Sequence, residues 1–182
     1  MAGLNLAQVD GDLYFGYTKP GVVAGFFVQI QLREKLKAAL ELLYTQKGSI
    51  GDAEVESLYL GSYVARCHIG LNYVSVPVTV KYQLPAFELE GGIAYARLIK
   101  TDEWIVATPS VAIDEDKNRF NKSDISGIIG ASREVYKSIT VGIRYQYSLV
   151  PIRPIDRVPA GYGYGSAGQL NNLFSFRLMY SL

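Results

Sequence analysis

Cys67 and His68 are adjacent, and the chain has one residue of each type. A thiol beside an imidazole is a nucleophile–base pair when the two side chains meet. On an extended strand, neighbours point to opposite faces, which separates them. His68 with Ser62 or Asp52 offers a second arrangement, of the kind found in lipid-modifying sites. Asp114, Asp116 and Asn118 have the one-three-five spacing of a calcium loop. Position six is Arg119 instead of Gly, however, and position twelve is Ile125 instead of Glu, so a solvated loop tip is the better reading. Gly161 to Gly165 is glycine-rich, but no helix pattern follows to offer its N-terminus to a phosphate. One cysteine excludes an internal disulfide framework and a Cys-based zinc site. These residues give no catalytic assignment, no metal and no cofactor. The charged set Glu41, Lys81, Glu88, Glu90, Asp124, Arg144 and Arg177 remains, and its meaning depends on the elements that hold it.

Those elements announce themselves by a period of two. In Ser138–Leu149, Ile139, Val141, Ile143, Tyr145, Tyr147 and Leu149 alternate with Ser138, Thr140, Gly142, Arg144, Gln146 and Ser148. The same alternation marks Gly3–Gln8, Gly21–Leu32, Leu36–Lys47, Asn72–Gln83, Phe87–Leu98, Asp124–Arg133 and Leu173–Leu182, which makes eight strands. Leu32 to Leu43 also reads as an amphipathic helix by propensity. Its neighbours favour a tight turn at Arg33–Lys35 followed by a strand. Short connections at 33–35, 84–86 and 134–137 alternate with long ones at 9–20, 48–70, 100–123 and 150–169. The expectation is an all-β, eight-stranded, antiparallel up-and-down transmembrane barrel occupying residues 1–182 as one domain, with short periplasmic turns and four long extracellular loops.

Alternation alone does not tell a membrane barrel from a soluble one, whose apolar face points inward. The charges decide it. The apolar faces are almost free of charge, whereas the seven charged residues share the other face. Facing lipid, a Lys or Arg at mid-membrane costs roughly 2–4 kcal/mol; inside a small lumen the two signs can pair. Aromatic residues on the apolar face fall near strand ends: Tyr44, Tyr95, Tyr147 and Phe174 on the loop side, Tyr82, Phe87 and Tyr180 on the turn side, with Tyr136 a further candidate there. Two such belts are what membrane interfaces select. No stretch of about 18 apolar residues exists, so a helical span is excluded. A net charge of +1 gives no global field for nucleic acid. Met1-Ala2-Gly3 has neither a basic nor an apolar leader region, so export to an outer membrane requires a leader already removed. The alternating aromatic end of the chain is similar to the signal read by the barrel-assembly machinery, with Leu182 where Phe is commoner.

Lys19-Pro20-Gly21 leading into Ala24-Gly25, Glu41-Leu42-Leu43-Tyr44 with Gln46-Lys47-Gly48, and Leu71-Asn72-Tyr73 with Val76-Pro77 resemble the PorT-like outer-membrane barrel family of the Bacteroidota. Asp124 with Gly127–Gly130, and Arg144-Tyr145, fit the same pattern. The resemblance covers nearly the whole chain. It implies a small outer-membrane barrel, in a family mostly of unassigned role and with no known catalytic residues to carry over to this sequence. The naming member serves protein secretion by the type IX system, a role that no motif here marks.

Three functions follow as expectations: a non-enzymatic barrel whose loops engage partners, as a structural or secretion-accessory protein; a narrow, porin-like pore for ions or small solutes; and a lipid-modifying enzyme. The loop residues set out for contact are Trp104, Phe120, Tyr162 and Tyr164. The expected partners are outer-membrane lipid and lipopolysaccharide, the barrel-assembly machinery during insertion, and other outer-membrane proteins. For the inward charges, a paired plug is favoured over a channel, because eight strands leave an interior only wide enough for side chains.

Overall fold

Long runs of strict alternation cannot bury one face as isolated hairpins, so the strands must pair on both edges. The computed structural model describes every residue except 13, 58–60, 107–112, 115, 160–165 and 182; between 52 and 65 it describes the backbone and not the side chains. Eight strands form: β1 (Ala2–Asp10), β2 (Lys19–Arg33), β3 (Leu36–Ser57), β4 (Gly61–Gln83), β5 (Glu88–Val106), β6 (Ser123–Tyr136), β7 (Ile139–Ser148) and β8 (Leu170–Tyr180). Each pairs antiparallel with the next, and β1 pairs with β8, so the sheet closes into the expected barrel.

The ambiguous segment after Leu32 is strand. Glu34 and Lys35 make the turn, and β3 then sets Leu40 opposite Val28 and Leu42 opposite Phe26. The cross-strand pairing overrides the helix propensity of the segment. The third short turn is Lys137–Ser138, where Ser138 takes φ 65°.

Two expected loop boundaries were wrong. The stretch 48–70, read as a long loop, is mostly ladder: β3 and β4 stay paired from Leu36↔Tyr82 to Ser57↔Gly61. The stretch from Lys100, also read as loop, continues β5 to Val106, so Trp104 lies on a strand opposite His68. The cause is a change of pattern along the strand. In the lower part of β4 the apolar residues Val74, Val76, Val78 and Val80 face outward, whereas above them Tyr73, Leu71, Ile69 and Cys67 face inward. On β5 a bulge places Leu98 opposite Tyr73 and Lys100 opposite Asn72, leaving Ile99 over and shifting the parity by one. Uniform alternation fails there while the ladder continues.

The faces are those expected. Phe26 is 81% exposed on the outer surface, whereas Glu41 and Arg144 are 2% exposed inside.

Candidate functional site

β3 and β7 are four strands apart in a ring of eight, so a contact between them crosses the full lumen. Glu41 of β3 and Arg144 of β7 make that contact in a two-pronged pair: Nη1 donates to Oε2 at 2.8 Å and Nη2 to Oε1 at 2.7 Å. Arg144 also donates from Nε to Glu90 Oε1 at 2.8 Å and from Nη2 to Oε2 at 3.0 Å. Arg177 of β8 donates to the same Glu90 and lies 3.6 Å from Glu41. Four strands are thus tied across the interior by groups fully out of solvent. A guanidinium suits this position because its planar fork meets a carboxylate with two parallel bonds.

Towards the long loops a second tier follows. Lys47 Nζ sits 2.9 Å from Asp124 Oδ2, with both side chains at 0% exposure. Ser148 Oγ donates to Asp124 Oδ1 at 2.8 Å, and Asn171 Nδ2 to Oδ2 at 3.1 Å. Beside it, Asn5 donates to Thr45 Oγ1 and accepts from Ser175 Oγ. A third tier is apolar: Val9, Tyr14, Cys67, Ile69, Leu71, Tyr73, Ala96, Phe120 and Ile152 form one buried cluster. Arg153 caps it, its guanidinium 3.6 Å from the Phe120 ring and paired with Glu103 at 2.9 Å.

Of the seven charges singled out by sequence, Glu41, Glu90, Arg144 and Arg177 meet in one network, and Asp124 belongs to the tier above. Glu88 does not join either; it pairs with Lys37 at the short-turn mouth. Lys81 is buried beside the network without bonding to it. Sequence reasoning missed Lys47, although it shares the inward parity of Glu41. It also missed Arg153 and Glu103, which sit where the alternation had broken.

Of the aromatic residues expected on the outer face, Tyr44, Tyr82, Phe87, Tyr95 and Tyr180 are exposed, from 37% at Tyr44 to 61% at Tyr180, whereas Tyr147 and Phe174 are half-buried there. Tyr44 donates to Asn72 Oδ1 at 2.7 Å, and Tyr95 bonds Ser123 at 3.0 Å. Phe174 packs edge-on to Tyr17 and against Tyr145. Trp104 is 41% exposed and stacks on His68, with ring centroids 5.5 Å apart and 4° between planes. Phe120 corrects its expected role as a surface contact, because it is 7% exposed inside the upper cluster. Tyr162 and Tyr164, with the rest of the 161–165 stretch, lie outside the described residues.

The catalytic arrangements do not assemble. Cys67 points inward and His68 outward, and burial pushes the Cys67 thiol up to about 12, which keeps it protonated. His68 Nε2 is 3.7 Å from Asp102, beyond hydrogen-bond reach. Ser62 is six residues from His68 on one strand, roughly 20 Å along its axis. The Asp52 side chain lies outside the described residues. Asp114 accepts from the backbone N–H of Asp116 and Lys117, and Asn118 accepts from the Asp114 N–H. These side chains therefore close their own turn.

Comparison with curated proteins gives no match. Among solved structures, the attachment invasion locus protein Ail of Yersinia pestis, in complex with the heparin analogue sucrose octasulfate, aligns at 11% identity and a TM-score of 0.51, over 98% of this chain and 94% of that one. A second Ail structure gives 10% identity and 0.48 over 98% and 93%, and the NanC porin 9% and 0.35 over the full length of both. The first of these shows a shared barrel fold. A family description, the outer membrane protein beta-barrel domain, matches residues 2–153. With eight strands closed on themselves, apolar outside and charged inside, the chain belongs to this family of outer-membrane β-barrels.

Proposed function

We propose that this protein is a sealed, non-enzymatic barrel that anchors an extracellular β-sheet extension in the outer membrane and presents it to partners. The observation that carries this reading is the three-tier filling of the lumen together with the continuation of β3, β4 and β5 beyond the Tyr44–Tyr95 level. A pore needs a continuous wet path, whereas here the Glu41–Arg144 pair crosses the whole interior. In this reading Tyr44, Tyr95, Tyr147 and Phe174 sit at the outer interface and Tyr82, Phe87 and Tyr180 at the inner one. Tyr44 and Leu36 are eight residues apart on one strand, about 26 Å along it, which at a tilt of about 40° covers roughly 20 Å of an apolar band about 25 Å tall. Arg97, Lys100 and Lys122 are exposed just above Tyr95 and suit the phosphates of lipopolysaccharide.

The extension exposes Trp104 and Val106 with His68 on one outer face, a patch that suits contact with a neighbouring outer-membrane protein. The PorT-like likeness and a secretion-accessory role belong to this same reading, in which the extension is the part that meets the partner machinery. The test is photo-cross-linking in native outer membranes from a benzoylphenylalanine at position 104. The expected result is one discrete adduct that is absent when the probe sits at Ile30, on the mid-barrel outer face. A barrel that always runs alone overturns the partner role.

A further inference from the structure

The short-turn mouth of the barrel opens into a vestibule of about 530 Å³, whose charged lining is Lys37, Lys81 and Arg133 against Glu88 and Glu134. Lys81 lines it and is 2% exposed. Among the described residues, its ammonium has no hydrogen-bond or ion-pair partner. Each nearby carboxylate is already taken. Register sets Lys81 across from Glu90, but Arg144 and Arg177 hold both oxygens of Glu90. Glu41 is held by Arg144, and Glu88 by Lys37. On its other side Lys81 faces Lys37 directly across the strand pair. Like charges in that position repel. Three buried cations, Arg144, Arg177 and Lys81, thus share two carboxylates, Glu41 and Glu90, and of the three it is Lys81 that lines the vestibule. Ser132 Oγ, on the same wall, is a buried hydroxyl with no partner. A buried hydroxyl left unpaired is costly, as is a lysine 2% exposed with no counter-ion of its own, unless a ligand completes them.

We propose that this vestibule is an oxyanion site: a phosphate or carboxylate entering from the short-turn side is held by Lys81 and Lys37, with Ser132 donating its hydroxyl. Its exposure to the periplasm rests on the reading of the short turns as periplasmic; the binding chemistry does not. The cavity has room for the anion with several waters, so the occupant is either a free phosphate or the terminal carboxylate of a chain reaching into the mouth.

Calorimetric titration of the detergent-folded protein tests this, with inorganic phosphate and with an acetylated tripeptide as the free acid and as its C-terminal amide. The expected result is saturable binding of phosphate or of the acid but not of the amide. That binding weakens at least tenfold in Lys81→Met, returns in Lys81→Arg, and is unchanged in Lys117→Met, on an exposed loop. Saturation by phosphate alone identifies the free ion, and saturation by the acid alone identifies a chain terminus. No saturable binding by the wild type, or equal binding by Lys81→Met, overturns the proposal. If Lys81→Met does not fold, Lys37→Met gives the same reading. The cross-linking result at Trp104 is independent of all these outcomes.

Discussion

Arg144 holds the interior together because two carboxylates meet it from two other strands. Removing one member of such a buried set leaves an uncompensated charge, which costs about 3–5 kcal/mol. Glu90→Leu strips Arg177 of its carboxylate and leaves it beside Arg144, so it is expected to lower thermal stability more than the double change Glu90→Leu, Arg177→Met, which keeps the Glu41–Arg144 pair. Loss of the heat-modifiable gel form with temperature reads this order; equal losses would contradict it. Asp12, at the base of the first long loop, makes a different prediction. It is 3% exposed, and burial raises its carboxyl from 3.8 to about 6, with Asp10 adding to the shift. A carboxyl whose value is raised by folding favours the protonated folded form, so its penalty grows as pH rises from about 4 through 6. Asp12→Asn should melt above the wild type at pH 7.5, and the gap should narrow as pH falls below about 6 and close only at about pH 3.5. A gap independent of pH would contradict the burial argument. Glu41, Glu90, Arg144 and Arg177 were legible as a group, because strand parity puts them on one face and their signs balance. Which of them bond was not legible, since that depends on reach across a closed ring.

The hairpin of β3 and β4 shows how an element can change its surroundings along its length. Below Tyr73 its apolar residues face out; above it they face in, around Cys67, Ile69 and Leu71. The first arrangement suits lipid and the second suits water, so the reversal marks the membrane rim on the strand itself. A reader following one fixed alternation stops at Asn72, as the expected boundary did, and the Ile99 bulge has the same effect on β5. Gly48 lies just above that level with φ +128°, and a Cβ there would meet the Ile69 carbonyl oxygen at 1.8 Å. Gly48→Ala should therefore splay the extension while sparing the strands below. Trp104 emission should shift to the red and hydrogen exchange should rise for 49–57 and 61–69. Unchanged exchange across both stretches would show that the pairing tolerates the methyl group.

At the scale of the whole molecule, barrel closure was readable because eight alternating segments, short and long connections in turn, and charges confined to one parity agree with one another. The filling of the upper lumen was not. It is built by Tyr14, Phe120, Ile152 and Arg153 from three different loops, and no local pattern links them. That filling separates an anchor from a channel. The measurement that tests it most directly is single-channel recording of the refolded, heat-modifiable protein in planar bilayers. The tiers of Arg144, Asp124 and Arg153 predict a silent bilayer at ordinary voltages. Steady openings that vanish when Arg144 and Arg177 are neutralised would contradict the sealed lumen and make the protein a pore.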